Sequence, residues 1–430
     1  MEQKKNSYSM GIIIIGILFF IFGFVTWLNA TLIPYLKIAC ELQHEWQGYL
    51  VTFAFYIAYF VMALPSSWVL RKTGYKNGMM LGLLVMAVGA LLFIPAAMTR
   101  TYGLFLLGLF IMGTGLSVLQ TASNPYVIEL GPAESAAQRV SIMGICNKVA
   151  GAISPLILGS IMLKDIDLLE AKLQTMDAVQ KAAELDLLAS KSIVPYVVIM
   201  VSLVVLALFV RFSPLPQIED PEEEEGSLQH GGKSSIFSFP HLWIGIVTLF
   251  LYVGVEVIAI DTIIGYAQSM KMDMDTARIF PTYGMIAMIV GFNQIFHRYI
   301  IGIIAIPKYI SQEKALACCA TLGVILSICT VMLPGDTSIW CLTLLSLANS
   351  LMWPAIFPLA IFGLGRHTKT GSALLIMAIA GGALLPMLYG SLTTSMGYQG
   401  AYWMMLPCYL FILYFAVAGH RVGIKHLYKK

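Results

Sequence analysis

Charge is the scarcest thing in this sequence. Asp, Glu, Lys and Arg make up 11% of its 430 residues, where a soluble globular chain carries about 25%. A soluble fold of this length needs a larger polar shell than these residues can build. Catalytic signatures are missing as well: there is no H-E-x-x-H, no P-loop and no His/Asp or Cys/His cluster within the apolar runs, which argues against a membrane-embedded enzyme. The seven cysteines (Cys40, Cys146, Cys318, Cys319, Cys329, Cys341, Cys408) lack metal-ligand spacing. They are expected as small buried hydrophobes, with only the adjacent pair Cys318–Cys319 standing out. No cofactor, metal or nucleic-acid partner is expected. A formal net charge of +3 says less than the places where the charges sit.

What the chain has in quantity is apolar sequence, 58% of its positions. Runs long enough to cross a hydrocarbon core of roughly 30 Å, about 20 residues each, recur from end to end. Helices are the natural spanning form because lipid cannot satisfy exposed backbone groups. Barrel strands would alternate, and these runs are continuous. Spans are expected near 10–36, 47–70, 77–98, 102–128, 139–163, 194–212, 241–268, 280–306, 314–333, 338–364, 371–395 and 399–419. The first follows MEQKKNSYSM directly, is too long for a signal-peptide core and has no A-x-A site after it, so it reads as a retained span. With the N-terminus in the cytoplasm, inner segments carry 16 Lys and Arg and outer segments eight. The positive-inside rule then sets both termini in the cytoplasm, in a bacterial-type inner membrane.

Two segments stand apart. Residues 164–192 are amphipathic and charge-mixed, and are expected as a short helical excursion on the outer face. Residues 213–240 contain the run EDPEEEE at 219–225; that composition cannot build a core and reads as a flexible cytoplasmic linker. It separates residues 1–212 from 241–430, six spans each. The two parts are repeats. GAISPLILGS (151–160) matches GALLPMLYGS (382–391), and ATLIPY (30–35) matches DTIIGY (261–266), at one shared offset. Asn124–Pro125 faces Trp353–Pro354 at nearly the same offset. The expected fold is therefore an all-α membrane protein of twelve transmembrane helices in two pseudo-symmetric six-helix bundles. Repeats of this kind are an architecture of secondary transporters, with the solute site between the halves near the midplane.

Several motifs carry a resemblance. LQTASNPYVIELGP (119–132), FLYVGVEV (250–257), the segment NSLMWPAIFPLAIFGLGRHTKTGSALL (349–375) and LNATLIPYL (28–36) resemble the fucose–galactose–glucose symporter family of the major facilitator superfamily. The branch of glucose and galactose transporters looks closer, since Gln120 stands where fucose permeases carry a glutamate. The resemblance implies alternating access and cation-driven uptake of a hexose or related sugar. Three positions depart from the family pattern. Ala30 stands where the first span usually has the proton-linked aspartate, Gln120 removes a second titratable site, and Lys148 replaces a small residue in GICNKVAG (144–151). The basic loop RKTGYK (71–76) also lacks the superfamily's usual acid.

Ionisable residues inside spans are functional candidates by default. Glu256 and Asp261 are the only two of 23 acids well inside, and Lys148 and Arg298 the only two bases. Lys148 lies too deep to reach the inner surface and needs an acid partner, for which Glu256 is the better depth match and Asp261 the runner-up. Arg298, beside His297, is close enough to the cytoplasmic end of its span to snorkel or brace a gate. Asp261 is the repeat mate of Ala30, which suggests that the carboxylate has moved to the pseudo-symmetric position and couples transport to H⁺ or Na⁺. Amides offer donor and acceptor to vicinal hydroxyls, so Asn29, Gln120, Asn124, Asn147, Asn293, Gln294 and Asn349 are candidate sugar contacts. Trp27 and Trp353 can stack on a pyranose face. The expected function is sugar uptake by cation symport, in a chain acting as a monomer within the bilayer. The alternatives are a sugar facilitator or an exporter on the same fold.

Overall fold

The computed structural model describes residues 2–130, 136–213, 215, 235–297 and 311–424. Arg298 and nearly all of the acidic linker lie outside them, as do the side chains of Asn293, Gln294 and His297. Among the described residues every regular element is helical and none is a strand. Among the described residues eight helices are long and apolar enough to cross a membrane, or nine when the bent pair Asp336–Asn349 and Met352–Ile361 is taken as one.

Two of the eight exceed one crossing. Leu50–Thr99 runs for 50 residues and Thr370–Val417 for 48, about 75 Å and 72 Å at 1.5 Å per residue. Each contains one glycine in a left-handed conformation, Gly74 with φ 72° and Gly397 with φ 73°. Only glycine takes that backbone without strain. At Gly74 the chain folds back, since a Cβ on Gly78 would run into the Leu70 side chain. In a straight helix those residues stand about 12 Å apart along the axis.

Among the expected spans that are interrupted instead of continuous, three bear on the site. The first breaks at Leu28, between Glu2–Trp27 and Asn29–Ala39; the seventh breaks at Thr262, between Pro240–Asp261 and Ile263–Ser269; the tenth breaks between Asn349 and Met352. Thr262 turns its hydroxyl back onto the Ile258 carbonyl at 2.7 Å, a bond that bends helices. Pro354 cannot donate to Ser350 and its ring crowds that carbonyl, which places the tenth break where it falls.

Packing uses small residues, as expected where lipid gives helices no hydrophobic drive to associate. Gly82 and Gly89 face Gly115 and Gly108, so close that a Cβ on Gly89 would stand 2.6 Å from the Gly108 carbonyl oxygen. The repeat-matched glycines do the same between residues on either side of the linker. Gly151 receives Trp27 and Met285, while Gly382 receives Tyr56; Gly159 meets Arg278, and Gly390 meets Tyr49. Residues 166–173 and 178–190 form the two short helices of the 164–192 excursion. On the same face Asp167 accepts from the Met274 backbone N–H at 2.7 Å. Contacts between the two parts therefore close the face that carries this excursion.

Candidate functional site

A chain of side chains crosses between the two parts at the level of the interruptions. Lys148, on Ala136–Met162, places its Nζ 2.9 Å from Glu256 Oε1 on Pro240–Asp261. Both ends are largely withdrawn from solvent, with side chains 16% and 10% exposed. The same ammonium stands 4.7 Å above the Trp27 ring, which adds a cation–π attraction. Tyr252, one turn before Glu256, stands beside that carboxylate and near the backbone of Trp353. Trp353 sits in the first turn of Met352–Ile361, where backbone N–H groups lack helical partners. Lys148 thus meets Glu256, the partner the sequence favours for it, with Trp27 against its ammonium, and Tyr252 stands between this pair and Trp353. The sequence reading missed Tyr252, although its i, i+4 spacing from Glu256 places it on the same helix face.

Asp261 lies elsewhere. It ends its helix at the second interruption, 2% exposed, with Oδ2 accepting from Thr52 at 3.3 Å. Its Oδ1 is buried without a hydrogen-bond partner. Tyr49 and Tyr56 stand near this carboxylate. With Thr52 they occupy one stripe of Leu50–Leu91 and the residue before it, at i, i+3 and i+7, a spacing readable in the sequence but not singled out there. Glu256 and Asp261 have different hydrogen-bond partners, Lys148 and Thr52, in keeping with the roughly 140° between them.

The first interruption also gathers unsatisfied groups. Asn29 is fully buried with neither side-chain atom bonded, and Thr26 Oγ1, Trp27 Nε1 and Thr31 Oγ1 are likewise unpartnered. Buried polar atoms are nearly always paired with protein or water, which marks these positions as polar points in an apolar surrounding. Ala30 is packed with Trp27, Ala152, Ile260 and Met285. Gln120 keeps a buried Oε1 without a partner. Asn124 and Asn147 are half-buried, and Gly23 packs against the backbone of Asn147. Asn349 accepts from the Tyr409 hydroxyl at 2.9 Å, leaving Nδ2 unbonded; it ties two helices of its own part together. All seven cysteines are free and only Cys408 is buried. Among the described residues no group of His, Cys, Asp and Glu could hold a metal.

A polytopic helical protein with internal repeats and unsatisfied polar groups at helix interruptions is built as a membrane transporter. Residues 15–378 match the model of the Major Facilitator Superfamily. The chain is 33% identical over 423 residues to a glucose/galactose transporter of Brucella abortus, covering 97% of this chain and 96% of that one. It is 30% identical over 406 residues to the L-fucose-proton symporter of Escherichia coli, covering 92% and 89%. The crystal structure of FucP, a Major Facilitator Superfamily transporter in the outward conformation, superposes with a TM-score of 0.72 at 28% identity, over 95% of this chain and 98% of that one. The chain belongs to the Major Facilitator Superfamily and, within it, to the fucose–galactose–glucose symporter family. It is a multi-pass membrane transporter and not an enzyme.

Proposed function

We propose that this protein takes up a hexose or a related sugar by cation symport, alternating access between bundles formed by residues 1–212 and 241–430, with 213–240 as the linker. Dividing the two longest helices at Gly74 and Gly397, counting the bent pair as one span and adding Phe280–His297 gives twelve spans. Both walls of the path come from one chain, so a monomer in the bilayer suffices. The balance of Lys and Arg sets both termini in the cytoplasm, in a bacterial inner membrane.

The observation that carries the reading is the pairing of unsatisfied groups at matching interruptions: Asn29 and Thr31 in the first repeat, Asp261 in the second. Amides and hydroxyls suit a sugar, and an unpaired carboxylate suits a cation. Trp27 and Trp353 supply apolar faces beside them, with Gln120, Asn124 and Asn147 as further hydroxyl partners. Asp261 is the coupling carboxylate in place of the missing acid at Ala30. A proton needs one free carboxylate oxygen, which the unpartnered Oδ1 of Asp261 offers. Loss of the acid at position 30 also favours a second reading, a facilitator without coupling.

Proteoliposomes offered labelled hexoses and N-acetylhexosamines under imposed pH or sodium gradients distinguish the two. Uphill accumulation is expected, with sugar exchange retained but accumulation abolished in Asp261→Asn. Normal accumulation by that variant makes the acid structural; equilibration without accumulation by the parent chain establishes the facilitator.

A further inference from the structure

The Lys148–Glu256 pair borders an apolar layer. Ala152 and Ile260 lie four residues further along the same two helices and so share the faces of Lys148 and Glu256. They pack with Trp27, Ala30 and Met285 in one buried cluster. That cluster is on the side of the pair nearer the 164–192 excursion, because Ala136–Met162 runs directly into it. The pair therefore lies where the apolar layer ends, its side chains still 16% and 10% exposed and within reach of a solute. Stability does not account for it, since a buried ion pair is often no better than apolar residues of the same volume. Nor does the pair exhaust its own bonding capacity. An ammonium has three N–H donors and a carboxylate about four lone-pair sites, and the bond between them takes one of each. Trp27 stands over the ammonium at 4.7 Å; its Nε1 and both side-chain polar atoms of Asn29 are buried without partners.

We propose that the Lys148–Glu256 pair is a sugar-reading site that selects neutral sugars over charged ones. The assignment rests on the sugar uptake proposed above. A hydroxyl is donor and acceptor at once, so one sugar hydroxyl, or two on adjacent carbons, donates to the carboxylate and accepts from the ammonium without breaking the pair. Hydrogen bonds to ionised groups are about twice as strong as neutral ones, and Trp27 supplies apolar surface beside them. A hexuronate competes with Glu256 for the ammonium, and a hexosamine competes with Lys148 for the carboxylate. Either exchange leaves one buried charge of the pair alone, which is strongly unfavourable. Coupling stays with Asp261, whose partner is Thr52 instead.

Single variants invert the selection. Glu256→Gln leaves the ammonium without its acid, and a hexuronate supplies one; Lys148→Met leaves the carboxylate without its base, and a hexosamine supplies one. Calorimetry on the purified protein compares glucose, galactose and N-acetylglucosamine with glucuronate, galacturonate and glucosamine, the last in mildly acidic buffer where its amine is charged. The parent chain is expected to bind at least one neutral sugar and none of the charged ones. Glu256→Gln is expected to gain affinity for a uronate, and Lys148→Met for glucosamine, by about tenfold or more over the parent. The double variant has no orphaned charge and decides the matter if a single variant does not fold: it is expected to bind the neutral sugar about tenfold more weakly than the parent. Unchanged neutral-sugar affinity in the double variant overturns the proposal. So do folded single variants that still exclude the charged sugars, and a parent chain that binds a charged sugar as tightly as a neutral one. A parent chain that binds no sugar of the panel overturns the uptake reading instead.

Discussion

Lys148 and Glu256 are 108 residues apart in sequence and meet from helices on either side of residues 213–240. Two charges withdrawn from water together are tolerated, but either one left alone is not. Lys148→Met is therefore expected to destabilise the protein by about 3–5 kcal/mol, read as a lower unfolding temperature in detergent. Adding Glu256→Gln, which removes the orphaned charge, is expected to restore most of that loss. A double variant no more stable than Lys148→Met alone shows that the pair is not what neutralises the lysine. The need for an acid partner is legible in the sequence, because a lysine so deep cannot snorkel. Tyr252 and Thr52 are less legible: a tyrosine and a threonine on apolar helices become partners only when another helix brings a carboxylate to them.

At the scale of the helix, the glycine pairs carry the packing. Gly89→Leu places a branched side chain where the facing backbone of Gly108 leaves no room for a Cβ. Overpacking of this kind costs about 1–3 kcal/mol or more, and the two helices separate. Reduced thermal stability and folded yield are expected, whereas Gly103→Ala, which meets nothing within 4 Å, serves as the control and is expected to be silent. Equal behaviour of the two variants removes the close approach as a source of stability. The interruptions were not visible as such in the sequence. Hydropathy averaged over a span is blind to a break one or two residues long, so the expected spans 10–36, 241–268 and 338–364 read as continuous.

For the whole molecule, the closed face predicts a crosslink. A Cβ on Gly159 lies 3.6 Å from the Arg278 Cβ, inside the range of about 3.5–4.5 Å that disulfides span. Gly159→Cys with Arg278→Cys is expected to oxidise readily, to arrest uptake by holding this face shut, and to recover on reduction. Crosslinked protein that still transports at the parent rate shows that this face need not open.

Composition, hydropathy and the repeat were sufficient for the class of fold, because spanning a membrane imposes length, apolarity and internal hydrogen bonding on each segment separately. The motifs were sufficient for the family. The tertiary structure alone decided which polar groups meet. The break at Thr262 brings Asp261 to Thr52, remote from it in sequence, and the tenth span bends while its mate, Tyr102–Glu129, stays one helix. Partner choice among a few polar atoms depends on how helices approach and rotate, which small residues and local backbone bonds set and which no property of one segment contains.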